Sequence, residues 1–108
     1  MTQILVELTF HSRGPWGEQL EQASSELARQ LAASPGLVWQ LWLENPESHR
    51  AGLLSLFANR GQAEEFVQQH RARLESFGVV ELDTRLFAIN QPLSLIGRCP
   101  TAMVGGEQ

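Results

Sequence analysis

In residues 3–11, QILVELTFH, apolar and polar positions alternate: Ile4, Val6, Leu8 and Phe10 fall on one side, and Leu5, Glu7, Thr9 and His11 on the other. This period-two pattern predicts a half-buried β-strand. SRGPWG interrupts it with Gly14, Pro15 and Gly17, residues whose backbone preferences suit turns. In EQLEQASSELARQLAA the positions Leu20, Ala23, Ser24, Leu27 and Leu31 recur at helical spacing. Glu18 and Glu21 stand near the positive end of that helix. Ser34-Pro35-Gly36 ends it, because the residue before a proline is pushed out of the α region.

LVWQLWLE, residues 37–44, reads as a second strand, and the turn NPES leads into a third, HRAGLLSLF, so the pair forms a hairpin. Asn59, with Gln62 three residues on, is an N-cap signal for the helix RGQAEEFVQQHRARLESF. Its apolar stripe is Ala63, Phe66, Val67, His70, Leu74 and Phe77, and Gly78 is placed to end it. VVELDTRLFAI is a fourth strand. The order βαββαβ predicts an α+β, ferredoxin-like fold, a four-stranded antiparallel sheet with two helices on one face.

Taking the more apolar parity of each strand directs Ile4, Val6, Leu8, Phe10, Leu37, Trp39, Leu41, Leu43, Gly52, Leu54, Leu56, Val80, Leu82 and Leu86 toward the helices. The opposite face keeps Leu5, Val38, Trp42, Leu53, Phe57, Phe87 and Ile89, more apolar surface than water normally meets. A second copy of the chain is the expected cover. On this parity Trp39 lines a helix-side pocket and Trp42 the outer face, whereas a β-bulge in the strand would bring both indoles to one face. QPLSLIG from residue 91 reads as an arm closing a single domain of residues 1–97, and residues 98–108 as a flexible tail.

A chain of 108 residues, 43% hydrophobic and 19% charged, has ordinary globular composition and room for one domain. The net charge is −4 and the basic residues are scattered arginines, which argues against nucleic acid as a partner. No stretch is apolar enough to span a membrane, and MTQILVELTF lacks the basic start and cleavage site of a secretory signal, so a cytoplasmic location is expected. The lone Cys99 has no intrachain partner and no base beside it in sequence.

The strings GPWG, PGLVWQLWLENPESHRAGLLSLF, HRARLESFGV and FAINQPLS, in this order, closely resemble the YdhR-type monooxygenases over about residues 3–97. That family is similar to the wider antibiotic-biosynthesis-type monooxygenases, whose subunits pair through their sheets into a dimeric α+β barrel. The resemblance implies a homodimer and a pocket between sheet and helices. It also implies oxidation of an aromatic or quinol-like substrate by molecular oxygen with no cofactor, although related proteins degrade haem. Typical members use an Asn on the first strand, a Trp on a later strand and sometimes a His on the second helix. Here the first strand offers Glu7, Thr9 and His11 but no Asn, while a Trp on the second strand and His70 are present.

His70 interrupts an apolar stripe, either as a core histidine satisfied by one hydrogen bond or as a neutral base able to deprotonate a phenol. Trp39 offers a flat wall for stacking, or is simply core. With His70 and Trp39 as the catalytic candidates, Phe66, Val67, Leu74 and Leu54 are the candidate substrate-binding residues. Glu44 and His49 flank the hairpin turn, where an ion pair or a cap is the simpler expectation than an acid–base couple. No metal-ligand spacing links His11, His49 and His70, and no glycine-rich phosphate loop is present, so neither a metal nor a nucleotide cofactor is expected. Arg71 and Arg73 leave the stripe and read as solvated. Three function classes stay open: a cofactor-independent monooxygenase, a haem-binding or haem-degrading protein with His70 as axial ligand, and a dimer that binds a small apolar ligand without turnover.

Overall fold

In the computed structural model, which describes residues 2–76 and 79–100, the alternating and helical patterns become seven elements. They are β1 (Ile4–His11), α1 (Gly17–Ala32), β2 (Leu37–Asn45), β3 (Arg50–Phe57), α2 (Arg60–Ser76), β4 (Val80–Ala88) and α3 (Gln91–Ile96). The strands form one antiparallel sheet in the order β2-β3-β1-β4, so β3 lies between the two strands that α1 connects. This is the α+β ferredoxin-like arrangement. Among the described residues no helix is long and apolar enough to cross a membrane.

Directly opposed residues of an antiparallel pair share a face, so the register fixes what the helices cover. Ile4 opposes Phe57 and Ala88, Val6 opposes Ser55 and Leu86, and Leu8 opposes Leu53 and Thr84. The core under the helices joins Ile4, Val6, Leu53 and Phe57 to Leu31 of α1 and to Ala63 and Phe66 of α2. The Phe57 and Phe66 rings are 4.9 Å apart between centroids in a tilted aromatic pair.

Two strands are in the opposite phase to the expected one. In β3 the helix side takes Leu53, Ser55 and Phe57, so Leu54 and Leu56 point to the other face. In β2 a bulge between Leu37 and Trp39 shifts the register. Gln40 then opposes Ser55 and Trp42 opposes Leu53, while Trp39 opposes Leu56. The tryptophans lie on opposite faces, but exchanged relative to the expectation: Trp42 is under the helices and Trp39 is not. The reason is a polar pair beneath the helices, because Gln40 donates from Nε2 to Ser55 Oγ at 2.9 Å and so removes the penalty for burying that hydroxyl. Val80 is also displaced from the expected set, since a register shift between Thr9 and His11 sets it opposite His11.

The sequence signals at the helix ends are realised unevenly. Asn59 Oδ1 accepts the Gln62 amide N–H at 2.9 Å, the expected cap of α2. Trp16 precedes α1 without a side-chain cap, and Glu44 of β2 supplies one from a distance, its Oε1 accepting the Gly17 N–H at 2.7 Å. The expected arm contains the short helix α3, capped by Asn90 Oδ1 on the Leu93 N–H at 3.1 Å. The expected helix stop at Gly78, the stripe residue Phe77 and the tail from residue 101 lie outside the described residues.

Candidate functional site

α2 carries Phe66, His70, Arg73 and Leu74 at spacings of three and four, which stack them along one side of the helix. The ring of His70 lies 4.6 Å from that of Phe66 between centroids. Phe66 is itself buried against Phe57, so the imidazole is braced from the core side. Beyond it opens an apolar cavity of about 110 Å³ between α2, α1 and the sheet. Its walls include His70, Leu74, Trp42, Leu53, Phe10 and Leu27. That is smaller than the engineered core cavity of about 150 Å³ that holds benzene, so a flat ring enters it only in part.

A second depression of about 410 Å³ runs along the outside of α1, lined by Leu20, Glu21, Ser24, Ala28, Trp42 and Glu44 among others. Leu20 and Trp42 border both spaces. Trp42 is held at this boundary by a hydrogen bond from its Nε1 to Gln40 Oε1 at 3.3 Å. The chain Trp42–Gln40–Ser55 thereby ties a cavity wall to the fully buried floor of the sheet.

Burial, and secondarily the nearby Arg73 guanidinium, hold the His70 pKa below its ordinary value of 6.5. At neutral pH the ring is therefore an uncharged imidazole, able to accept a proton. Among the described residues its nitrogens have no protein hydrogen-bond partner, which leaves them for a ligand.

Of the residues singled out from sequence, the cavity brings together His70 and Leu74, with Phe66 behind the imidazole. Val67 packs on the core beside Phe66 rather than bordering the cavity. Trp39 and Leu54 lie on the far face of the sheet and cannot meet His70. Trp42 and Leu53 hold the corresponding helix-side places. Glu44 caps α1 instead of engaging His49, whose ring stands 5.9 Å from that of His11. Arg73, read as solvated, borders the cavity. Its signal was available in its i+3 relation to His70. Among the described residues no cluster of three or more His, Cys, Asp or Glu has the geometry to hold a metal ion.

Solved structures share this fold. A protein of unknown function from Nitrosomonas europaea superposes with a TM-score of 0.57 at 14% identity, covering 83% of this chain and 91% of its own. A mutant form of SnoaB, a cofactor-independent oxygenase from Streptomyces nogalater, superposes with a TM-score of 0.59 at 14% identity, covering 82% of this chain and 93% of its own. At such identity the likeness is one of fold. No curated protein matches the sequence. The family model described as "Putative mono-oxygenase ydhR" matches residues 5–100, nearly the whole described chain, and the protein belongs to that family.

Proposed function

We propose that the protein is a cofactor-independent monooxygenase that oxidises a small, flat, electron-rich phenol or quinol with molecular oxygen. Family membership supports the reaction class. The observation that carries the site is an uncharged imidazole, His70, at the wall of an apolar cavity that Trp42 shares.

In this reading the substrate hydroxyl gives its proton to His70, and the neighbouring Arg73 charge favours the resulting oxyanion. An ortho or para ring carbon that carries hydrogen, now electron-rich, adds O2 and takes the proton back as a hydroperoxide. Loss of water across that carbon leaves a carbonyl. One oxygen atom enters the product, the other leaves as water, and the arene supplies all the electrons. Trp42 gives the ring a flat wall, while Leu53, Leu74 and Leu27 keep water away from the anion.

A homodimer belongs to this proposal. The sheet face away from the helices bears Leu5, Trp39, Leu41, Leu54 and Phe87, with Leu41 and Phe87 50% and 49% exposed in the single chain. A face of that composition is the kind that a permanent interface covers.

The test is oxygen uptake with electron-rich hydroxyarenes, with ¹⁸O₂ used to count the atoms in the product. One labelled atom is expected. His70→Ala should lower turnover by roughly a hundredfold or more, the usual contribution of a general base. A Soret band on adding haem, lost in His70→Ala, with no oxygen uptake on any arene, would replace this reading with haem binding.

A further inference from the structure

A flat ring enters the cavity beside His70 only in part, so a substrate that seats its whole ring needs one wall to yield. Most of the walls are fixed. Leu31 and Leu53 belong to the buried core, Trp42 is tied through Gln40 to Ser55, and His70 is braced by Phe66. The remaining wall is Ser12, Gly14 and Pro15, from the segment between β1 and α1. Among the described residues that line the cavity, Pro15 and Arg73 are the exposed ones, so the space reaches the surface between this segment and α2. The segment is held at its ends. The Ser12 N–H donates to His49 O at 2.8 Å, and the Gly17 N–H to Glu44 Oε1 at 2.7 Å. Among the described residues, those from 13 to 16 exchange no hydrogen bond with the sheet or with α2. The Gly14 N–H turns back to Ser12 Oγ at 3.1 Å, and the Trp16 indole lies so near Gly14 that a Cβ there would stand 3.0 Å from its Nε1. The segment therefore packs on itself and can move as one piece. Gly14 at φ +95 and Gly17 at φ +57 give it backbone freedom at its middle and at its α1 end.

Resting on the cavity reading argued above, we infer that residues 13–16 are the lid of the site and that Glu44 is its latch. In the closed form Pro15 covers the mouth beside Arg73. When the bond from Gly17 to Glu44 parts, the lid swings about Gly17 and the cavity lengthens toward the surface. The ring then enters under Pro15 and past Arg73 to His70, and closure shuts water out behind it. Glu44 acts through the lid and touches no substrate, so it is a positioning residue. Its carboxylate suits that task. A charged acceptor on an N–H at a helix N-terminus holds more firmly than a neutral one, yet Glu44 is exposed, where water can replace the bond and release it again.

Naphthol is the probe, its binding followed by tryptophan fluorescence after rapid mixing. Glu44→Ala should raise the association and dissociation rate constants together by about threefold to tenfold, the range set by a lost helix N-cap, and leave Kd nearly unchanged. Glu44→Gln keeps an acceptor and should fall between Ala and wild type. Asn90→Ala removes a cap of the same kind from α3, away from the cavity, and should leave both rate constants as they are. A rise in dissociation alone, or equal acceleration in Asn90→Ala, overturns the lid. Should Glu44→Ala fail to melt cooperatively, the wild type decides. Its relaxation rate after a temperature jump should level off as naphthol is added, because lid opening then limits binding, and a rise that stays linear overturns the lid. Rate constants unmoved by Glu44→Ala, with binding still weakened by Trp42→Leu, overturn the lid and leave the cavity reading standing. Failure of naphthol to bind the wild type and every variant overturns both.

Discussion

Gln40 stands across the β2–β3 ladder from Ser55 and joins two groups beneath the helices, donating to Ser55 Oγ at 2.9 Å and accepting from Trp42 Nε1 at 3.3 Å. One side-chain amide thus satisfies a buried hydroxyl and orients an indole at the cavity.

Gln40→Leu should therefore destabilise the fold by about 1–3 kcal/mol, the penalty for leaving buried polar groups unpaired. Adding Ser55→Ala to that variant should recover part of the loss, because the hydroxyl then no longer needs a partner. Urea unfolding of the two single variants and the double variant checks this. Additive losses would mean that the two side chains do not interact.

The His70 pKa gives stability a direction with pH. Its folded-state value lies below the ordinary 6.5, chiefly from burial and then from Arg73. Above 6.5 the ring is neutral in both states and contributes no difference. As pH falls through 6.5 the unfolded chain takes up the proton first, so stability drops, and the loss levels off once pH passes below the folded-state value. Melting temperatures from pH 8 down to 5 should show this decline, and His70→Phe should flatten it.

Gly36 and Gly61 should answer alanine in opposite ways. Gly36 has φ +81, and a Cβ there would overlap the Gln62 side chain. Gly36→Ala should cost roughly 1–3 kcal/mol, from the left-handed backbone alone before the overlap is counted. At Gly61, in the first turn of α2, a Cβ would meet only Asn59 Oδ1 at 3.6 Å. Gly61→Ala should be neutral or stabilise by up to about 1 kcal/mol. Thermal melts of the pair compare them directly.

The outer sheet face can be tested at its centre. Leu41 opposes Leu54 and is 50% exposed in the single chain. Leu41→Lys should shift the protein from dimer to monomer in sedimentation velocity at micromolar concentration. A wild type that already sediments as a folded monomer would remove the basis for the dimer.

The element order and the site helix were legible in the sequence because their signals are local. Strand alternation in Ile4–Phe10, the Asn59 cap and the spacing of Phe66, His70 and Leu74 each depend on neighbours within a few residues. The face assignment of β2 and β3 was not. Ser55 and Gln40 look like outward positions, and only their mutual hydrogen bond across 15 residues explains why they point inward. Choosing the most apolar face therefore selected the wrong indole. The Glu44 cap on α1 was hidden for the same reason, since its partner Gly17 is 27 residues away. His70 could be found as an anomaly in a stripe and a pocket beside it was expected, but its lining could not be read, because Trp42, Leu53 and Leu27 come from β2, β3 and α1.

The bulge at Val38 makes β2 unequal in its tolerance of length change. Trp39 is the residue that opposes Leu56, next along the ladder after Leu37 opposite Phe57, so Val38 is supernumerary to the pairing. Deleting it would close the ladder into regular register and keep every side chain from Trp39 to Asn45 on its present face. Deleting Gln40 would instead set Trp39 opposite Ser55 in a regular ladder and remove the amide that both holds Trp42 and satisfies the Ser55 hydroxyl. A drift of one residue in the loop-to-strand boundary can thus be absorbed at position 38, whereas two residues further on the same event would take away the amide that orients Trp42 while leaving the composition of the chain almost untouched.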